Sequence, residues 1–200
     1  NGLRRTDLQT MEVAIGVLAG LINTKIVNEL NVLGASAVGY SGVSDRLFQA
    51  KIKDKNLGLV GELVGCNVDS LIKILENSIP VVSPIAFNIG FLDIEQDGIL
   101  NVNADTAAGY LAKSLNADKL VFQTDVEGVL DFYGRVIPHM TTSQAKEIIK
   151  SGIAKDGMIP KIHACINSLS NVSSTHIIDG RVNKALLDCI SNKKIGTRII

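Results

Sequence analysis

Apolar residues at Met11, Ala14, Leu18, Leu21 and Ile22 recur at helical spacing and predict a long helix, capped by Asp7 and ended by Gly34. Residues 35–40 then read as a short buried strand. Residues 47–52 and 57–64 read as strands on either side of the charged turn Lys53-Asp54-Lys55-Asn56, and 69–76 as a short helix. The run 79–87 is apolar enough for one buried strand, and 91–94 with 99–102 flank Asp97-Gly98, a hairpin signal. Helices are expected at 107–115, 144–150, 158–169 and 184–190, and strands at 119–123, 174–178 and 197–200. Alternation of strands with helices, several strands being continuously apolar, predicts an α/β fold. Its mostly parallel central sheet would be covered by helices on both faces, as a three-layer αβα sandwich. No internal repeat or Pro/Gly-rich linker divides the chain, so residues 1–200 are expected to form one domain.

One segment breaks the ordinary pattern. In residues 100–109, LNVNADTAAG, short polar side chains alternate at Asn101, Asn103 and Asp105 just before a small-residue helix. In an extended chain these three share a face and converge on one spot. The same residues also suit a strand end followed by a helix capped by Asp105, and both readings stand at this level.

Composition narrows the function. With 20 basic and 20 acidic side chains the formal net charge is zero, which argues against a broad nucleic-acid surface but not against a small anion held by a few cations. No membrane partner is expected: the longest apolar stretches, around 13–22 and 79–89, are too short or too interrupted to span a bilayer. Nor does a basic segment with a following apolar core open the chain. The three cysteines, Cys66, Cys165 and Cys189, are far apart and read as reduced, partly buried thiols. His139, His163 and His176 lack metal-ligand spacing, so they read as structural or surface residues and no metal site is expected. Neither G-x-x-x-x-G-K-[ST], G-x-G-x-x-G nor G-x-S-x-G occurs, which removes the P-loop, the dinucleotide fingerprint and the serine-hydrolase elbow.

Ligands of open α/β sheets gather beyond the carboxyl ends of strands, and several polar clusters fall there. In order, NGLRRTD (1–7), NVNADTAAG (101–109), TDVEGVLD (124–131), GMIPKIHA (157–164), HIIDGRV (176–182) and GTRII (196–200) resemble the amino-acid kinase family, in its acetylglutamate kinase branch. Carbamate, aspartate, glutamate and uridylate kinases share that scaffold without HIIDGR as a set.

The resemblance implies transfer of the ATP γ-phosphoryl group to the side-chain carboxylate of N-acetyl-L-glutamate, a step of arginine synthesis. Arg4 and Asn101 would hold the acceptor, Asp105 would orient the catalytic lysines, and Lys161 would stabilise the transferring group. Asp125, Val126, Glu127, Gly128, Val129 and Leu130, with Ile153, Ala154 and Lys155, would line the ATP site. Lobes 1–116 and 117–200 would bind acceptor and ATP respectively, the first also serving dimerisation. ATP would act as co-substrate with Mg²⁺, which needs no dedicated all-protein cage. The family also implies a homodimer or hexamer, and in some members a nitrogen-signalling partner of the PII type. Location would be cytoplasmic, or the stroma of a plastid. The apolar helix around 11–22 would offer an interface, although burial in its own core is the stronger expectation.

Four departures from the family pattern matter, the first being Arg5, which stands where the family usually has a small apolar residue and would disturb or reinforce the anion site. The family's lysine-bearing first strand and glycine-rich phosphate loop belong ahead of Asn1, so residues 1–200 are expected to be a poor catalyst by themselves. Asp156 stands where many members have glycine, and its side chain is expected to cap the following helix. Arginine-inhibited members carry an acid where Cys189 stands, and the adjacent Asp188 would point about 100° away around a helix. Two alternatives accompany the kinase reading: a non-catalytic binding or regulatory subunit on this scaffold, and a related kinase acting on another carboxylate or on carbamate.

Overall fold

The structure is a computed structural model that describes residues 5–90 and 98–200. The expected hairpin turn before Gly98, and Arg4, lie outside the described residues. By internal contacts the chain divides into two compact units, Leu3–Ala107 and Ala108–Ile200.

The first unit opens with α1 (Leu8–Ala14), a π-helical stretch (Ile15–Ile22) and α2 (Asn23–Val32), which run on as one helix. Asp7 caps it as the sequence suggests, accepting from the Thr10 N–H at 2.8 Å. Burial is where expectation fails. Only Met11 and Asn23 of this helix are buried, while Leu8, Val13, Val17, Leu21, Ile22, Ile26 and Val32 are exposed. The apolar run of 13–22 is also not a short stretch. Within the 25-residue helix Leu8–Val32 it is long and apolar enough, by length and composition alone, to cross a membrane.

Polar anchors tie the second half of that helix to protein. Asn23 donates to the Val81 carbonyl at 2.7 Å, and Asn31 accepts from the Ala37 N–H at 2.7 Å. Those bonds dock it on the parallel pair β1 (Ala37–Ser41) and β4 (Ile79–Ser83). β1 is mostly exposed or half-buried along its length, not the buried strand its composition suggests, because among the described residues β4 is its one sheet neighbour.

The remaining strands of this unit are ordered β3-β2-β5-β6: β2 (Phe48–Ile52), β3 (Gly61–Cys66), β5 (Ile85–Asn88) and β6 (Ile99–Asn101). The run 79–87 is therefore two strands in two sheets, not one. Pro84 separates them, and with no N–H it cannot continue a ladder. Residues 55–57 form a short 3-10 turn, so the strand expected from residue 57 begins at Gly61. α3 (Asp69–Leu75) follows β3. Phe48, Leu47, Leu71, Ile85 and Leu100 are fully buried in this unit.

The second unit holds a four-stranded sheet ordered β7-β9-β10-β8: β7 (Lys119–Thr124), β8 (His139–Met140), β9 (Ser174–Asp179) and β10 (Thr197–Ile199). β7 and β9 run parallel and β9 and β10 antiparallel. α4 (Ala104–Ser114), α5 (Thr142–Lys150), α6 (Met158–Ser168) and α7 (Ala185–Ile190) complete the elements. Leu120, Phe122, Val129, Met140, Ile162, Cys165, Ile177 and Ile199 form its core. Across the described residues four of the seven strand pairings are parallel, in keeping with the expected α/β class.

β9 is buried at all six positions although four of its residues are polar. Each finds a partner: Ser174 Oγ with His176 Nε2 at 3.0 Å, Thr175 with the Ile199 carbonyl, and Asp179 with Arg181. Satisfied in this way, buried polar groups are tolerated in a central strand.

Candidate functional site

In the first unit the polar segment after β6 resolves into separate jobs. Asn101 is the last residue of β6, half-buried, and its Nδ2 donates to Thr6 Oγ1 at 3.3 Å. Thr6 is itself buried and held by backbone bonds to Leu57 and Leu59, which fixes its hydroxyl next to Asn101. Thr6 lies inside the NGLRRTD segment, yet nothing about a lone threonine singled it out from sequence.

Asn103 and Asp105 do not share the strand face with Asn101, because β6 stops at Asn101 and α4 begins at Ala104. Nor does Asp105 cap α4. Asn103 does, its Oδ1 accepting from the Thr106 N–H at 2.9 Å and the Thr106 hydroxyl at 3.2 Å. Asp105 sits half-buried in the first turn, where a carboxylate is favoured by the helix dipole. The cap being supplied two residues earlier by Asn103, the Asp105 carboxylate is not needed to start the helix.

In the second unit β7 and β9 finish together, with Thr124 opposite Asp179. The Thr124 carbonyl accepts from the Gly180 N–H at 2.8 Å, tying the two strand ends where ligands of parallel sheets bind. From this edge the chain runs through exposed Asp125, half-buried Val126, exposed Glu127 and buried Gly128 and Val129 to exposed Leu130. The Val129 N–H donates to Thr197 Oγ1 at 2.8 Å. Gly128 leaves no room for a side chain, since a Cβ there would stand 2.7 Å from the same oxygen. Thr197 therefore holds this loop, a role that only the β10 placement reveals.

Past Leu130 the chain turns back, with Leu130 bridging Val136. Asp131 accepts from the N–H groups of Tyr133 and Arg135 and from the Arg135 guanidinium at 3.0 Å. Those bonds, led by the Arg135 N–H, hold its carboxyl below the usual carboxylate range. Beside the strand ends Arg181 grips Asp179 with two bonds of 2.9 and 2.8 Å. Chiefly through the Arg181 side chain, Asp179 is pulled down to about 2. The Arg181 pKa is raised, first by Asp179, with Asp125 and Glu127 contributing from the loop.

Ile153 is half-buried, Ala154 buried and Lys155 exposed in the turn that precedes α6. Asp156 does not cap α6. Its backbone takes φ +43°, the left-handed region where glycine is easiest and Asp is tolerated, and the N-cap residue of the helix is Gly157, which has no side chain to cap it. That geometry explains why glycine suits this position. Lys161 lies half-buried in the fourth position of α6. A cation so near a helix N-terminus opposes the dipole, and the combination favours an incoming anion. Among the described residues no group of three His, Cys, Asp or Glu is placed to hold a metal.

His176 is the strongest buried titration. Burial first, then the charges of Arg198, Lys119 and His139, push it down to about 4. An unfolded His protonates near 6.5, so between pH 6.5 and 4 the unfolded chain binds the extra proton and stability falls as pH falls. The expected loss over that window is roughly 3 kcal/mol. Below it Asp179 takes over, its contribution disappearing as pH drops from the ordinary carboxylate range toward 2. Denaturant melts across pH 4–7 measure this, and His176→Gln should flatten the slope whatever it does to the plateau.

The amino acid kinase family profile matches residues 1–179. The chain is 43% identical to the acetylglutamate kinase of Thermoanaerobacter sp. (strain X514) and 42% to that of Synechococcus sp. (strain ATCC 27144 / PCC 6301 / SAUG 1402/1). Each alignment covers 100% of this chain and 67% of the relative. Among solved structures, smu.665 from Streptococcus mutans UA159 superposes with a TM-score of 0.81 at 30% identity, covering 100% of this chain and 75% of that one.

Proposed function

The chain belongs to the amino acid kinase family, and from that premise we propose that it is a kinase that phosphorylates the side-chain carboxylate of N-acetyl-L-glutamate, with ATP as donor, in arginine biosynthesis. The observation that carries this reading is the 43% identity to an acetylglutamate kinase across the entire chain. Site chemistry supports it. A glutamyl side chain has an unperturbed pKa of about 4.3, so the nucleophile is ionised at neutral pH and no general base is required. The obstacle is one anion approaching another. Catalysis then rests on alignment and on cations around the transferring group.

In this proposal Lys161, with the N-terminus of α6 behind it, draws negative charge from the transferring phosphoryl group. Asp105 orients lysine side chains. Asn101, fixed by Thr6, and Arg4 hold the acceptor; the arginine fork suits its carboxylate. Residues Asp125 to Leu130 form one wall of the nucleotide site, and Ile153, Ala154 and Lys155 another. Magnesium enters as the counter-ion of ATP. The medium is a cytoplasm or a plastid stroma.

The exposed apolar face of the Leu8–Val32 helix is proposed to pair with its copy in a homodimer. Twice the chain mass in gel filtration is the expected result, and a clean monomer would sink it. For the reaction, the protein as its gene encodes it is assayed for ATP consumption with N-acetylglutamate, glutamate and carbamate. Turnover with N-acetylglutamate alone is expected. Preference for another acceptor, or no turnover with ligand binding intact, would transfer the argument to a related kinase or to a binding subunit.

A further inference from the structure

A second concentration of positive charge lies at the other side of the β7-β9-β10-β8 sheet. In register, His139 of β8 stands opposite Arg198 of β10, and Arg198 opposite His176 of β9. Directly opposed residues project from one face of a sheet, so three basic side chains make a row across three strands. The row lines a cavity completed by Asn192, Lys193 and Lys194 from the loop after α7. No carboxylate is among its described lining residues. Lys193 is paired with Asp188 at 2.7 Å, but Lys194, Arg198 and His139 are exposed, with no ion pair formed among the described residues. Arg198 is flanked by two imidazoles with no carboxylate in the row, so an anion placed there meets nitrogen groups from three strands.

We propose that this row is a binding site for a tetrahedral oxyanion, a phosphate or phosphoryl group, separate from the residues of phosphoryl transfer. Arg198 supplies a forked donor, Lys194 a point charge, and the two imidazoles complete the cradle. His176 feels Arg198 from β10, Lys119 from β7 and His139 from β8, with Ser174 bonded to it from its own strand. Lys119 itself is engaged with the carbonyls of Cys189 and Ile190 and the side chain of Asn192. An anion in the cradle offsets these cations, so its arrival draws a proton onto His176. The site also has a route to the nucleotide loop. Thr197, next to Arg198 and therefore on the opposite face of β10, is the residue that holds the Val129 N–H.

Sulfate is the probe, because it keeps its double charge throughout the neutral and mildly acidic range. Histidine carbon–proton NMR signals of the protein as its gene encodes it are followed as sulfate is added against sodium chloride of equal ionic strength. This readout needs no turnover, so it stands or falls apart from the kinase reading. Sulfate is expected to move the His139 and His176 signals, to raise the His176 titration midpoint from about 4, and to bind more tightly as pH falls toward that midpoint. Arg198→Gln and His139→Gln should each weaken it roughly tenfold, whereas Lys161→Ala should leave it unchanged. Two results overturn the proposal: His176 signals that respond no more to sulfate than to chloride, or a sulfate response undiminished in both variants. A larger response to malonate, or to L-arginine, overturns the tetrahedral-oxyanion assignment.

Discussion

Lys161→Ala should lower kcat by roughly two to three orders of magnitude while leaving KM for ATP within a few-fold, measured on the protein as its gene encodes it. The split follows from where the charge acts. A cation that meets the phosphoryl group mainly as negative charge redistributes contributes to the transition state and little to ground-state binding. The N–H groups at the start of α6 remain in the variant, which keeps the loss below total inactivation. Lys155→Ala offers the contrast. Its exposed side chain in the proposed nucleotide wall should change KM for ATP more than kcat. Unaltered kcat in Lys161→Ala would remove this residue from the chemistry and leave the family fold untouched.

Gly42→Ala should cost roughly 3 kcal/mol and lower Tm by about 6–12 °C. A Cβ at Gly42 would stand 1.8 Å from the Ile85 carbonyl oxygen and 2.5 Å from a Phe48 ring carbon. Both neighbours are buried, and Gly42 bonds through its own backbone to Ser83 and Phe48. Neither partner has space to retreat, so the loop from β1 to β2 must shift as a whole. Gly16→Ala is the opposite case. Nothing lies within 4 Å of a Cβ there, and the residue is exposed in the long helix, so alanine should stabilise by about 0.5–1 kcal/mol. Thermal melts of the two variants side by side separate crowding from helix propensity; a neutral Gly42→Ala would show that the turn yields.

Much of the architecture was legible in sequence because its signals are local. Asp7 caps where a short acceptor precedes an amphipathic stripe, and the elements from β7 onward, β8 excepted, lie within a few residues of their expected bounds. Three errors share one cause, the neglect of a competing local chemistry. Pro84 lies inside an apolar run whose composition hid the change of sheet. Asn103 and Asp105 are both good caps, and choosing between them needs the first helical residue, which side-chain type does not give. Asp156 looked like a cap because its left-handed φ is invisible in its identity. The two-residue strand β8 carries no periodicity at all, and only pairing with β10 defines it.

Sequence alone determined the α/β class, the family resemblance and the residue types around the proposed reaction, since periodicity and motif order are properties of the chain itself. Tertiary structure decided which groups meet. Thr6 reaches Asn101 across 95 positions, and Thr197 reaches Val129 across 68. The same is true of exposure: the long helix presents its apolar face outward because its buried anchors, Asn23 above all, point to the β1–β4 sheet. A hydrophobic stripe tells that a face will be covered, but the covering partner is set by long-range packing, which local sequence does not encode.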